Sequence, residues 1–222
     1  MDYEKFIESK KIKPVISGFD VDAKTLNSHL FDFQRKIVKT ALHYGRFAVF
    51  ADTGLGKTLM QTSWAHEVAK HSGGSVLILA PLCVAGQTVH EAAKFGIDVK
   101  FVKNQSEVVD GINITNYEKL EKFDLSLFAG VVLDESSILK SYMGKTKRMI
   151  IDMCQTVNYR LACTATPSPN DYLELGNHCE FLGVMPSNEM IMRFFQNDTM
   201  EAGSYALKPH TVINHCAIIK LY

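Results

Sequence analysis

Apolar residues recur along this chain in two rhythms that take turns. From His29 to Tyr44 the positions Leu30, Phe33, Ile37, Ala41 and Leu42 fall on one helical face, so an amphipathic helix is predicted there, with Gly45 stopping it. The rhythm then changes. Phe47 to Phe50 are continuously apolar, as in a strand covered on both faces. A helix-compatible stretch runs from Leu59 to Val68, Gly73 and Gly74 break the chain, and SVLILAP forms a second wholly apolar strand that Pro81 ends. Beyond it the pattern predicts a helix from about Val84 to Phe95 and strands at Val99 to Val102, Ile112 to Thr115 and from Gly130 onward. A helix from Tyr142 to Gln155 and a strand over YRLACTAT complete the series. Strands alternating with helices imply right-handed crossovers and a mainly parallel sheet flanked by helices, an α/β domain with its site at the strands' carboxyl ends. Residues 1–28 are charged and without period, which suits an irregular arm; 29–200 form the globular unit, and 201–222 read as a tail.

Two strand ends carry chemistry. Directly after the first strand comes ADTGLGKT, Ala51 to Thr58, at a strand-to-helix junction. In such a P-loop the glycines let backbone N–H groups converge on phosphate oxygens, and the helix N-terminus adds its positive dipole end. Thr53, Gly54, Leu55, Gly56, Lys57 and Thr58 are thus the expected phosphate cradle, with Lys57 reaching the outer phosphates and the Thr58 hydroxyl offered to Mg2+. The loop opens with Ala51 where the general pattern has glycine. The second end is VVLDES, Val131 to Ser136: Asp134 is placed beside the magnesium, and Glu135 can orient or deprotonate water. Together the two segments predict a nucleotide hydrolase.

Composition narrows the setting. With 222 residues and 46% hydrophobic content the chain can bury one full core, and two independent domains would be cramped. The formal net charge is zero, so a polyanion would have to be held by local patches. Five cysteines lie scattered without a C-x-x-C pair, which favours reduced core thiols, and the eight histidines show no i, i+4 pair for a metal. Trp64 and the Met-rich stretch Met185 to Met200 read as packing. No run approaches a membrane span and the N-terminus lacks a signal-peptide core, so a soluble cytoplasmic protein is expected, with a viral or mobile-element source left open.

Four further segments choose among nucleotide hydrolases. FDFQRKIV precedes the first strand, APLCVAGQ follows the second, ITNYEKL follows a later one, and TATPSPND ends the strand after the acidic pair. Their order and spacing resemble the first motor lobe of superfamily-two helicases, with DEAD/DEAH-like N-terminal domains of RecA-like fold, and the Swi/Snf-like double-stranded DNA translocases in particular. The resemblance covers about Leu30 to Leu182, and is strongest in LDESSILKSYMGKTKRMI and TATPSPNDYLELGNHCEFL. It implies that Gln34 binds the adenine edge, that Lys57 and the loop backbone hold ATP, that Thr58 and Asp134 hold Mg2+, and that Glu135 positions water. It further implies that Thr164 and Thr166 sense hydrolysis. A nucleic-acid track, duplex DNA in the first instance, would be met by Pro81, Gln87, Thr115, Asn116, Tyr117 and Lys140, mainly through phosphates. For Tyr117 and Asn116 a core-capping role weighs equally, and Lys145, Lys147 and Arg148 suit either a solvated helix face or a phosphate stripe. Many relatives carry histidine where Ser137 stands, which bears on how ATP state is linked to motion. Such motors complete their site with a second RecA-like lobe, supplied in cis or in trans; 201–222 would lead to it, and the lobe alone would hydrolyse ATP weakly. Two other readings stay open: an RNA or single-strand helicase lobe, and a non-catalytic nucleotide-dependent interaction module.

Overall fold

A computed structural model describes residues 15–141, 145–168, 172–197, 205–207 and 218–221. In chain order the elements are α1 (Asp32–Tyr44), β1 (Arg46–Ala51), α2 (Lys57–Ser72), β2 (Ser75–Ala80), α3 (Leu82–Lys94), β3 (Val99–Phe101), β4 (Ile112–Asn116) and β5 (Phe128–Asp134). Then follow α4 (Ile138–Ser141), α5 (Lys145–Cys154), β6 (Tyr159–Thr164), α6 (Leu175–Leu182), α7 (Ser187–Phe194), β7 (Phe195–Asn197), β8 (Tyr205–Leu207) and β9 (Ile218–Leu221). Of the helix expected from Tyr142 to Gln155 the described part is Lys145–Cys154, and 142–144 lie outside the described residues.

Seven strands form one sheet in the order β3-β4-β2-β5-β6-β1-β9. Every pairing in it is parallel. Continuous apolar runs make such strands because side chains alternate between two covered faces. In β2, Val76, Ile78 and Ala80 join the core under α1, α2 and α3, whereas Leu77 and Leu79 join the core on the opposite side with Ile150, Ile151, Phe181 and Leu182. Burial of one such leucine contributes about 1.5–3 kcal/mol. α2 is enclosed more fully than an ordinary surface helix, with residues from Leu59 to Val68 buried around its circumference, Trp64 among them.

The arm expected over 1–28 is described from residue 15. There Ser17 and Phe19 donate backbone N–H bonds to the carbonyls of Tyr44 and Leu42, at 3.2 and 2.9 Å, and Phe19 stacks on His71 with centroids 3.7 Å apart. The expected tail contributes two elements: β8 pairs antiparallel with β7, and β9 adds to the sheet edge beside β1. Cys216 lies outside the described residues. Cys83, Cys154, Cys163 and Cys179 are free thiols. Among the described residues no helix is long and apolar enough to cross a membrane, and no group of metal-ligating side chains of the His/Cys/Asp/Glu kind occurs.

Candidate nucleotide site

Strand order brings the two chemical strand ends together. β6 lies between β5 and β1, with Asp134 abreast of Cys163 and Phe50 abreast of Thr164. Two strand spacings, roughly 10 Å between strand axes, separate the phosphate loop from the acidic pair. The loop and Asp134 thus flank a single strand end, and the Lys57 charge favours the ionised form of Asp134.

The loop between β1 and α2 turns through Gly54 at φ 85° and Gly56 at φ 77°, the left-handed region that favours glycine. The Lys57 ammonium donates to the carbonyls of Ala51 at 3.0 Å and Asp52 at 3.3 Å, which holds it over the loop. Gln34 is buried behind the loop. Its Oε1 accepts the Phe31 N–H at 2.9 Å, and its Nε2 donates to the Leu55 carbonyl at 2.9 Å. A Cβ on Gly56 would run into Gln34 Nε2, so glycine there serves both the turn and the close approach. In front of Gln34 opens a cavity of about 670 Å³ walled by Phe31, Phe33, Leu55, Thr58 and Lys94. Phe31 is 68% exposed and stacks on Phe33 at 6.2 Å between centroids. The helical spacing placed Phe33 only on the apolar face of α1 and gave Phe31 no role; their position flanking Gln34 was the available signal for a ligand wall.

Asp134 ends β5 with only 5% of its surface exposed. Burial pushes its carboxyl above the usual carboxylate range and Glu135 adds to the effect, opposed by Gln61 and Lys57. Glu135, the residue after it, adopts φ 53°. Thr164 Oγ1 donates to Glu135 Oε2 at 3.3 Å and accepts the Thr166 N–H at 3.1 Å, so both expected sensing threonines touch the acidic pair directly or through one bond. The turn is pinned at Ser136, whose N–H donates to the Cys163 carbonyl at 2.9 Å and whose hydroxyl lies 3.0 Å from His178 Nε2. His178 comes from α6, sits edge-on to Phe50 at 5.1 Å, and is driven down to a pKa of about 4 by desolvation. A histidine does reach the acidic box, then, from 42 residues further along the chain rather than from position 137. Only the fold makes that contact, so no local spacing could have announced it.

The residues expected to meet a nucleic-acid track divide. Pro81 caps the start of α3, where Gln87 is exposed and donates to Glu91 at 2.8 Å. Lys140 lies on α4. Thr115, Asn116 and Tyr117 are buried, and the Tyr117 hydroxyl donates to the Asp134 backbone carbonyl at 2.7 Å. For Tyr117 the core-capping alternative is therefore what its side chain does here, because the end of β4 is covered. On α5, Lys147 donates to Asn177 at 2.9 Å, and Arg148 pairs with Asp152 and Glu180 at 3.3 and 3.7 Å, so these cations bind within the protein.

The family model described as DEAD/DEAH box helicase matches residues 31–175. Curated proteins gave no match to the chain. Among solved structures, the Sulfolobus solfataricus SWI2/SNF2 ATPase core in complex with dsDNA superposes with a TM-score of 0.63 at 22% identity, over 78% of this chain and 40% of that one. The UvsW helicase from bacteriophage T4 gives 0.58 at 14% identity, over 83% and 65%, and the Pyrococcus furiosus Hef helicase domain 0.54 at 17%, over 68% and 36%. These likenesses show a shared fold of RecA-like type. The chain spans less than two thirds of the length of each.

Proposed function

The chain belongs to the DEAD/DEAH box helicase family, and from that premise we propose that it is the ATP-binding lobe of a Swi/Snf-like motor that couples ATP hydrolysis to movement along duplex DNA. The observation that carries this is the convergence of the glycine loop, Asp134, Glu135 and Thr164 at three neighbouring strand ends. ATP enters with its base against Phe31 and Phe33 beside Gln34. Its phosphates lie on the amides of Thr53 to Thr58 with the Lys57 ammonium on the outer oxygens.

The site's donors fit a magnesium ion. A hydroxyl and a carboxylate are the hard oxygen ligands it takes, and Asp134 is buried with its ionised form disfavoured by desolvation, which a bound cation would reverse. Thr58 and Asp134 would hold it, and bound there it would neutralise charge on the phosphate oxygens. Glu135 orients a water in line with the γ-phosphorus and takes its proton as the new P–O bond forms and the bond to ADP breaks. Thr164, bonded to Glu135, passes the change at that carboxylate to the segment that follows β6. A second RecA-like lobe, in cis or in trans, completes the motor. Track contacts fall to the start of α3 with Gln87 and to Lys140.

The similar fold of a SWI2/SNF2 core bound to dsDNA favours the duplex over RNA or single strands. Turnover measured with the second lobe supplied, against duplex DNA, single strands and RNA, tests the reading. Duplex DNA is expected to raise the rate most, and Lys57→Ala to abolish it; turnover indifferent to all three polymers overturns the translocase assignment.

A further inference from the structure

α2 leaves the phosphate loop carrying Lys57, Thr58 and, three positions after Thr58, Gln61. Positions three apart share a helical face, so Gln61 is turned toward the side on which Thr58 stands. α2 packs across β5, and this sets the Gln61 amide beside the Asp134 carboxylate. The side chain is completely buried, yet neither Oε1 nor Nε2 completes a hydrogen bond within the described residues. The amide is near enough to favour the ionised carboxylate and not yet placed to bond it. A buried primary amide with both ends unpaired is costly, and a methionine of the same length would fill the space without that cost. Such an amide at the edge of a ligand site finds its partners when the site fills.

We propose that Gln61 is a positioning residue for the magnesium nucleotide: its Nε2 donates to Asp134 and fixes that carboxylate for the cation shared with Thr58, leaving Oε1 to accept from the cation's hydration water. This rests on the ATP-binding reading above. Side chains that orient a metal's ligands alter metal affinity by about 10- to 100-fold when removed. Gln61 reaches the cation through Asp134 and is not itself a ligand.

The test is nucleotide binding, which needs neither turnover nor a second lobe. A fluorescent ATP analogue is titrated onto the chain with EDTA and with increasing magnesium, and melting is followed without nucleotide. Gln61→Met is expected to melt at or above the wild-type temperature, to bind nucleotide in EDTA as the wild type does, and to need about tenfold or more magnesium for half-saturation. Gln61→Asn, with an amide one methylene too short, is expected to show the same magnesium shift. Equal magnesium requirements in wild type and Gln61→Met overturn the proposal, as does loss of the fold in Gln61→Met, which would make the amide structural. Absence of nucleotide binding by the wild type overturns the ATP-binding reading itself, and this inference falls with it.

Discussion

Glu135 is the one non-glycine residue of positive φ among those described. Such a conformation costs on the order of 1–3 kcal/mol and persists only when the surroundings over-determine it. Here both ends of Ser136 are held, by Cys163 and by His178, so the carboxylate is aimed in advance. Glu135→Gln keeps that backbone and removes the base. Nucleotide affinity should be unchanged while single-turnover hydrolysis falls by about 100- to 10,000-fold. Gly56→Ala should instead act on binding, since its Cβ needs both a left-handed backbone and the space of Gln34; equilibrium titration should show weaker ATP binding and unfolding should show a loss of about 1–3 kcal/mol. His178 supplies a pH dependence. Its pKa falls from 6.5 to about 4 on burial, so between those values the unfolded chain binds the proton and the folded one does not. Stability contributed by the neutral ring is full above pH 6.5 and is lost as pH falls toward 4, by up to about 3 kcal/mol. Denaturant unfolding at pH 7 and pH 4.5 should show a shallower acid loss in His178→Gln.

At the scale of elements, the join between β6 and α6 depends on one buried cation. Arg160 donates from Nε to the Val157 carbonyl at 3.0 Å, from Nη1 to Phe181 at 2.7 Å and from Nη2 to Gln155 at 2.8 Å. Desolvation lowers its pKa to about 10, and it stays charged at neutral pH. Arg160→Leu strands those carbonyls, and thermal or denaturant unfolding should register about 3 kcal/mol or more. The elements themselves were legible because each is local: α1 ends at Gly45 as its spacing requires, and β2 occupies the apolar run before Pro81. The P-loop and acidic pair were legible for the same reason, since each is one short string. What stayed hidden depends on strand order. Placing β6 between β5 and β1 is what joins Thr164 to Glu135 and brings His178 under Ser136, and neither period nor spacing encodes that order. Gln61 opens a polar triplet with Thr62 and Ser63 inside α2, so nothing in the string singles it out, and only the packing of α2 on β5 gives it a neighbour. Thr115 to Tyr117 lie at a covered strand end, a burial that strand order creates and local pattern does not announce.

The whole molecule sets the glycine loop, the acidic pair, Thr164 and Thr166 along one edge of a parallel sheet, with the proposed track contacts on α3 and α4. If those contacts go to phosphates, DNA-stimulated turnover should fall steeply as salt rises, whereas nucleotide affinity in the same buffers should change little. A salt-insensitive stimulation would point away from a backbone-tracking motor.

The Tyr117 hydroxyl gives this edge a mechanical property. Tyr117 follows β4, and β2 separates β4 from β5, so the phenol reaches over one strand end to hold the Asp134 carbonyl at 2.7 Å. A rigid ring of this kind is a strut: whatever displaces the loop after β4 must drag the end of β5 with it or break the bond. Tyr117→Phe cuts the strut while leaving the ring in place, so polymer and nucleotide should each still bind, but each would be deaf to the other.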